Sequence, residues 1–223
     1  MKQFILGLLK YISLPLAILY GIVVSLRNWF YDFKIFSSIA FDLPVICVGN
    51  ITVGGTGKSP HIEYLIEQFS HEYRLATLSR GYRRHSRGFR LANAESDARE
   101  IGDEPFQFKF KYPHVEVCVA EERMTAIPQL LQQKPFLQTI LLDDAFQHRT
   151  VRAGMNILLT DYHRLYTRDY IMPFGLLRES KSAAKRADII IVTKCDPSLS
   201  IEEKQKLTNE IAPLPHQTLY FSC

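Results

Sequence analysis

Short apolar runs rich in Val, Ile and Leu recur along most of the chain, separated by polar or helical stretches. Such runs are typical of strands buried on both faces of a parallel sheet, because crossover helices cover both faces. The pattern therefore predicts an α/β fold with a mainly parallel sheet flanked by helices. The six predicted strands are Val45–Val48, Leu75–Leu78, Val115–Val119, Thr139–Leu142, Asn156–Thr160 and Ile189–Thr193.

Two helices and a last strand complete this prediction. After Lys58, apolar residues recur at helical spacing through Phe69. Ser200 and Glu203 form a capping box ahead of a second amphipathic helix. The chain ends in a predicted strand over Leu219–Cys223.

The N-terminal stretch from Phe4 to Leu26 is nearly all apolar, and it has the roughly 20 residues needed to span the hydrocarbon of a bilayer. Lys10 and Pro15 interrupt the stretch, and no small-residue cleavage site follows, so a removed signal peptide is not predicted. We expect a membrane anchor helix here. A buried helix in the core of a soluble domain is the alternative.

Composition places the remainder among globular proteins. The chain has 223 residues, of which 47% are hydrophobic and 22% charged, which is enough for one substantial core. A formal charge of +4 is too weak to predict nucleic-acid binding. The four cysteines lie far apart and predict reduced thiols in a cytoplasmic domain.

A glycine-rich loop follows the first predicted strand and leads into a helix. Glycines let successive backbone N–H groups surround a polyphosphate, Lys58 neutralises its charge, and the Ser59 hydroxyl can ligate Mg²⁺. The strict Walker A pattern has glycine where Thr52 stands. The alternative is a glycine-rich turn without a ligand. The predicted nucleotide-binding residues are Thr52, Val53, Gly54, Gly55, Thr56, Gly57, Lys58 and Ser59.

Paired carboxylates occur at two further points. Asp143 and Asp144 end an apolar strand, which matches the acidic element that holds Mg²⁺ or its water in phosphate sites. Asp103 and Glu104 precede Pro105, where they could serve as a general base, a metal relay or a helix cap. Asp is also common in solvated turns, which stays the alternative for the first pair.

Two other segments carry candidate chemistry. A basic stretch after the second strand predicts either an anion clamp or a solvated loop, with Arg80 closest to the strand's carboxyl edge. Thr193-Lys194-Cys195-Asp196 is similar to the N/T-K-x-D element by which GTPases read guanine, or it walls the base site. The basic stretch comprises Arg80, Arg83, Arg84, His85, Arg87 and Arg90.

Taken together, an ordered series of motifs resembles the tetraacyldisaccharide 4'-kinases, also called lipid A 4'-kinases. The series runs over nearly the whole chain, and the apolar N-terminal segment is also a family feature. The motifs are Gly49-Asn50, Gly54-Gly55-Thr56-Gly57-Lys58-Ser59-Pro60, Ser79-Arg80-Gly81-Tyr82, Gly102-Asp103-Glu104-Pro105, Asp143-Asp144-Ala145-Phe146-Gln147-His148 and Pro173-Phe174-Gly175-Leu176-Leu177-Arg178-Glu179.

The resemblance implies a membrane-associated P-loop kinase that uses ATP and Mg²⁺. The kinase would phosphorylate the 4'-hydroxyl of a tetraacylated glucosamine disaccharide 1-phosphate, giving lipid IV-A at the cytoplasmic face of the bacterial inner membrane. Residues 1–34 would form the anchor helix and its flank, and residues 35–223 the P-loop kinase domain. Neither a nucleic acid nor an obligate protein partner is expected.

The resemblance also implies roles for individual residues. Asp103 matches the proposed catalytic base, which orients and deprotonates the sugar hydroxyl. Ser59, Asp143, Asp144 and Glu104 match the metal and nucleotide positions. Glu179, His148 and Arg80 are further active-site candidates.

The chain departs from the family pattern in three respects. Ser59 replaces the usual Thr, and Ala145 replaces a glycine in the acidic motif. Family members also continue into a C-terminal lobe that supplies a histidine paired with the Asp103 equivalent. We therefore expect weak nucleotide binding and little turnover from these 223 residues alone. The alternatives are a metallochaperone-type or regulatory GTPase, although Val53 stands where such loops carry Lys, and a truncated inactive relative.

Overall fold

The computed structural model describes residues 13–223, which form two compact units. The first unit contains the described part of Met1–Ser37 together with Asn50–Thr56 and Leu158–Cys223. The second unit contains Ser38–Gly49 and Gly57–Ile157. The division into residues 1–34 and 35–223 stays a prediction.

Six helices and eight strands follow one another along the described residues. Two 3-10 turns, at Tyr166–Arg168 and Lys181–Arg186, lie between the strands Met155–Asp161 and Ile189–Thr193. The helices are α1 Leu14–Asp32, α2 Lys58–Phe69, α3 Ala98–Ile101, α4 Asp103–Lys111, α5 Arg123–Gln133 and α6 Ile201–Ile211. The strands are β1 Val45–Gly49, β2 Leu75–Ser79, β3 Arg90–Leu91, β4 Glu116–Val119, β5 Thr139–Asp143, β6 Met155–Asp161, β7 Ile189–Thr193 and β8 Thr218–Phe221.

In the second unit the strands lie in the order β3-β4-β2-β5-β1. The β1–β5, β2–β5 and β2–β4 pairs are parallel, with Val45 opposite Ile140 and Leu75 opposite Thr139. All five residues of β2 and of β5 are buried. The carboxyl ends of these parallel strands meet at one edge, which is where ligands bind in α/β sheets.

The first unit contains the rest of the strands. Residues 155–157 of β6 belong to the second unit and residues 158–161 to the first, in which the strands lie in the order β6-β7-β8. β7 and β8 are parallel, with Ile189 opposite Thr218. The capping box of α6 is present, because the Glu203 N–H donates to Ser200 Oγ at 3.2 Å and the Ser200 N–H donates to Glu203 Oε2 at 2.9 Å.

The predicted α/β architecture with a mainly parallel sheet is confirmed. Each of the six predicted strands is present, with ends that differ by one residue at most, and the last predicted strand is observed as Thr218–Phe221. The short strand β3, which pairs antiparallel to β4, was not predicted. Two residues are too few to show an alternating pattern.

Helix α1 continues beyond the predicted end at Leu26 to Asp32, while residues 4–12 of the predicted anchor lie outside the described residues. Within the part that the structure describes, it is the one helix long and apolar enough to cross a bilayer. This criterion uses only the length and composition of the helix. A buried core helix or a signal sequence would also meet it.

The two faces of α1 differ. On the inner face Ala17 is buried, and a Cβ placed on Gly21 would lie 3.2 Å from Ile171 Cδ1. The opposite face exposes large apolar side chains at helical spacing, and fewer of them would be expected on a helix covered by protein alone. The exposed side chains are Leu16, Leu19, Ile22, Val23, Leu26 and Trp29.

Candidate active site

The glycine-rich loop uses two of its glycines for backbone geometry. Gly54 has φ 113° and Gly57 has φ 82°, both in the left-handed region that glycine adopts without strain. Asn50 is fully buried at the start of the loop, and its Nδ2 donates to Thr56 Oγ1 at 2.8 Å and to the Gly54 carbonyl at 3.3 Å. Asn50 therefore fixes the loop internally, a role that the sequence alone did not indicate.

The departure at Thr52 is compatible with the loop. Thr52 is buried and pairs with Leu177 in an isolated antiparallel bridge, a backbone conformation that does not need glycine. The preceding Gly49 does need to be glycine, because a Cβ there would lie 2.7 Å from Phe146 Cβ. This close approach joins the end of β1 to the acidic motif after β5.

Lys58 and Ser59, the first residues of α2, connect two acidic motifs within the second unit. Lys58 Nζ lies 3.7 Å from Asp144 Oδ1, so the loop lysine is paired with a carboxylate at the end of β5. Ser59 Oγ donates to Glu104 Oε1 at 2.6 Å. The structure thus brings together four of the predicted residues: Lys58, Ser59, Glu104 and Asp144.

Asp143 is the most perturbed acid of this group. Only 3% of it is exposed, and within residues 13–223 its Oδ1 atom is buried without a hydrogen-bond partner. Burial, with the carboxylates of Glu104 and Asp144 acting in the same direction and Lys58 and Arg123 against it, raises the pKa of Asp143 from 3.8 to about 7. A buried carboxylate with an open oxygen beside other carboxylates indicates a place for a cation.

Arg123 is a site residue that sequence reasoning missed. It is 1% exposed at the start of α5, and its guanidinium donates to the carbonyls of Ala120 and Glu121 at 3.3 and 3.1 Å. Burial lowers its pKa, although the carboxylates of Asp143 and Asp144 oppose that effect. Its position after β4, at the carboxyl edge of the sheet, was the available signal.

The acidic residues fit Mg²⁺, the metal that the family resemblance implies. No group of three or more His, Cys, Asp or Glu side chains among residues 13–223 forms a metal cage of its own. Mg²⁺ does not need one, because it is usually bound by one or two carboxylates, waters and substrate phosphates. The open Oδ1 of Asp143 supplies such a carboxylate, with Asp144, Glu104 and Ser59 as neighbouring oxygen donors.

The turn after β5 accommodates Ala145 in place of glycine. The left-handed backbone of this turn falls on Asp144, with φ 48°, a conformation that Asp tolerates better than most residues. Ala145 is buried, and its carbonyl accepts the His148 N–H at 2.8 Å. His148 is half-buried in the same turn.

Asp103 and Arg80 lie on two segments that touch. Gly102, immediately before Asp103, has φ 95°, and a Cβ there would lie 2.9 Å from the Tyr82 carbonyl. A Cβ on Gly81 would lie 2.6 Å from the Ile101 carbonyl. The backbone after β2 is therefore pressed against the turn that presents Asp103 at the start of α4, and both Asp103 and Arg80 are exposed.

Glu179 belongs to the first unit and has partners there. It is 1% exposed and pairs with Arg186, whose Nη2 lies 3.0 Å from Glu179 Oε2. Asn28 Nδ2, from helix α1, donates to the same oxygen at 2.6 Å, and Tyr20 Oη donates to the Arg178 carbonyl at 2.9 Å. Sequence reasoning did not predict that the apolar helix supports this motif.

The raised pKa of Asp143 predicts a pH-dependent stability in metal-free protein. Folding takes up a proton at Asp143 between about pH 4 and 7, so this burial costs stability increasingly as pH rises through that window and then levels off. At 1.36 kcal/mol per pKa unit the full effect is about 4 kcal/mol. Asp143→Asn should remove this cost. The free energy of unfolding of the variant should therefore rise relative to that of the wild type between pH 4 and pH 8.

Urea unfolding in EDTA at pH 4 and pH 8 measures this difference. Asp42→Asn, which changes an exposed carboxylate of the same unit, is the matched control. If the difference in free energy of unfolding between Asp143→Asn and the wild type is the same at both pH values, the raised pKa of Asp143 is contradicted.

The comparisons with known proteins agree with this geometry. The family model of LpxK, tetraacyldisaccharide-1-P 4'-kinase, matches residues 9–220. The tetraacyldisaccharide 4'-kinase of Flavobacterium johnsoniae is 52% identical over 217 residues, covering 97% of this chain and 64% of the relative. That of Bacteroides fragilis is 53% identical over 209 residues, covering 93% of this chain and 56% of the relative.

A solved structure shows the same fold. The crystal structure of LpxK from Aquifex aeolicus in complex with ATP has a TM-score of 0.77 at 27% identity, and the match covers 96% of this chain and 82% of that chain. The chain spans about 56–64% of the length of the curated relatives quoted above. From these matches, the chain belongs to the tetraacyldisaccharide-1-P 4'-kinase family.

Proposed function

We propose that the protein is an ATP-dependent kinase that phosphorylates the 4'-hydroxyl of tetraacyldisaccharide 1-phosphate, giving lipid IV-A in lipid A biosynthesis. The observation that carries the proposal is the buried Asp143 with its open oxygen, beside Asp144, which pairs with Lys58 of the glycine-rich loop. Charge neutralisation and positioning are the main requirements of phosphoryl transfer, and this arrangement supplies both.

On the donor side, the residues of the loop bind the nucleotide. Lys58 leaves its pairing with Asp144 for the β- and γ-phosphates, since the polyphosphate carries more negative charge than the single half-buried carboxylate. Asp143, Asp144 and Ser59 would hold Mg²⁺, and Glu104 orients the Ser59 hydroxyl by accepting a hydrogen bond from it. Bound Mg²⁺ neutralises charge that develops on the phosphoryl oxygens.

On the acceptor side, we assign Asp103 as the general base. It is exposed at the start of α4, in the second unit that also contains Ser59 and Glu104, and the turn before it is fixed by Gly102. A carboxylate there can accept the proton of the 4'-hydroxyl as the hydroxyl oxygen attacks the γ-phosphorus, while the bond from that phosphorus to the β,γ-bridging oxygen breaks and ADP leaves. Arg80 is exposed and precedes Gly81 in the adjoining segment, and we assign it to the substrate's anionic groups.

Helix α1 supports a membrane location. On its outward face Leu16, Leu19 and Val23 are 60%, 60% and 58% exposed. Tyr20 of the same helix donates a hydrogen bond to the Arg178 carbonyl in the rest of the first unit. Such a helix suits an enzyme that lies on the bilayer holding its four-chain lipid. We assign the protein to the cytoplasmic face of the bacterial inner membrane, where ATP is present, with the acyl disaccharide as its partner.

The rival GTPase function is not favoured by the family assignment. A transfer assay tests the proposal: the protein is incubated in mixed micelles with γ-labelled ATP, Mg²⁺ and tetraacyldisaccharide 1-phosphate, beside the Flavobacterium johnsoniae relative. We expect label on the lipid above the background of Lys58→Met, and competition by ATP stronger than by GTP. Lipid labelling equal to that of Lys58→Met would contradict the kinase, and preferential binding of GTP would favour the rival.

A further inference from the structure

The outer side of the glycine-rich loop is held by side chains from the first unit. Arg164 Nη2 donates to the Val53 carbonyl at 2.7 Å, Lys194 Nζ donates to the Gly55 carbonyl, and Thr193 Oγ1 donates to the Thr56 carbonyl at 3.0 Å. A trans peptide group points its C=O and the next N–H in opposite directions. Each held carbonyl therefore directs the following N–H to the other side of its peptide group. After the Gly55 carbonyl that N–H belongs to Thr56, which donates to the Gly54 carbonyl at 3.1 Å, so Lys194 fixes this turn of the loop. The N–H groups of Gly54 and Gly57 follow the carbonyls that Arg164 and Thr193 hold.

Lys194 is the most constrained member of this set. It follows β7 with φ 57°, a left-handed conformation that a lysine rarely adopts, and its ammonium also donates to Asp161 Oδ2 at 2.7 Å. Asp161 Oδ1 in turn accepts the His163 N–H at 2.9 Å. The ammonium is thus directed at the loop by a carboxylate that is itself fixed.

The charge state of Asp161 fits this arrangement. Burial raises the pKa of Asp161, but the hydrogen bonds from Lys194 and from the His163 N–H outweigh burial and leave the pKa below its ordinary value. Asp161 is therefore a carboxylate at neutral pH, and it orients the Lys194 side chain, whose Nζ donates both to Asp161 Oδ2 and to the Gly55 carbonyl.

We propose that Lys194, oriented by Asp161, is a positioning residue of the nucleotide site, which holds the carbonyl side of the loop so that its N–H face is preformed for phosphate. This inference rests on the proposed nucleotide site. The segment Thr193-Lys194-Cys195-Asp196 is similar to a guanine-reading element. The inference gives its first two residues, Thr193 and Lys194, a role in holding the phosphate-binding loop. The position of Gly54 agrees, since a Cβ there would lie 2.9 Å from Arg164 Nη2.

The aspartate of that segment is not directed at a base. Asp196 Oδ1 accepts the Ser198 N–H at 2.8 Å and also the Ser198 hydroxyl, which closes the turn after β7. These hydrogen bonds lower the pKa of Asp196. Lys194 therefore contacts the glycine-rich loop, whereas Asp196 stabilises the turn after β7. These contacts favour a positioning role for the segment.

The test compares Lys194→Met with Lys194→Arg, Asp161→Asn and the control Lys204→Met, which removes the same charge from an exposed position of α6. The measurements are the Kd for a fluorescent ATP analogue with Mg²⁺, the kcat and KM for ATP, and amide hydrogen exchange over residues 50–57. Lys194→Met should raise Kd and KM about tenfold and change kcat less than about twofold, because a charged hydrogen bond is lost from the loop and not from the reacting groups.

The loop should also exchange its amide hydrogens faster in Lys194→Met, with a smaller effect in Asp161→Asn and partial recovery in Lys194→Arg. Kd and exchange equal to those of Lys204→Met would overturn the inference while leaving the kinase intact. A wild type that binds no nucleotide would overturn the proposed function and the inference together. Loss of kcat at unchanged KM would also overturn the inference, because Lys194 would then act on the reacting groups.

Discussion

Asp103→Asn is expected to lower kcat by about 10²–10⁴-fold while leaving the Kd for Mg·ATP nearly unchanged. The amide keeps the size of the side chain and cannot accept the proton of the attacking hydroxyl. The fold should tolerate the change, because Asp103 is exposed and its side chain does not cap α4. Initial rates of lipid phosphorylation and nucleotide titrations on the same samples give both numbers.

The control for Asp103→Asn is again Asp42→Asn, which should keep both quantities at the wild-type level. If Asp103→Asn loses Mg·ATP binding, Asp103 is a metal ligand and not the base. If kcat is unchanged, the base lies elsewhere. The two outcomes are distinguished by the Kd, which a general base does not affect.

Replacing Leu19, Val23 and Leu26 of α1 by Ser is expected to weaken binding to anionic phospholipid vesicles about a hundredfold. These side chains are 60%, 58% and 51% exposed, so transfer of their free surface into lipid contributes about 3 kcal/mol together. Sedimentation with vesicles of phosphatidylethanolamine and phosphatidylglycerol measures the partition coefficient. Thermal unfolding checks that the exposed substitutions leave the fold intact.

A matched control changes three exposed apolar residues elsewhere, Phe110, Phe136 and Ile201, which are 80%, 72% and 82% exposed. Their replacement by Ser should leave vesicle binding at the wild-type level, because they lie outside α1. Equal losses in the two triple variants would show that binding follows general surface hydrophobicity. No loss in either would contradict the membrane role of this face.

Much of the second unit could be predicted from sequence because its signals are local. Buried parallel strands show as continuous apolar runs, and β5 is buried at every residue. The sequence placed Asp143 and Asp144 at the end of such a strand, and the structure gives Asp143 the perturbed pKa expected of a site residue.

The contacts of the first unit could not be predicted in the same way. Lys194 meets Gly55 across 139 positions of sequence, and Asn28 meets Glu179 across 151. Such pairs depend on how strands and loops pack in three dimensions. The sequence around one partner therefore does not indicate which residue the other partner is. Arg123 was missed for a related reason. The sequence alone does not distinguish a buried arginine from a solvent-exposed one, because burial depends on the residues packed around the side chain.

The bond between Asn28 and Glu179 means that α1 is not a detachable tether. Shortening the protein at this helix would remove the exposed leucines, and with them a partner of an acid that is 1% exposed. Glu179 would keep Arg186 but lose a part-buried hydrogen bond, a change of about 1–3 kcal/mol at the end of one of the family's motifs. A variant that tests the proposed membrane role should therefore keep α1 and change only its outward side chains, so that the partner of Glu179 stays in place.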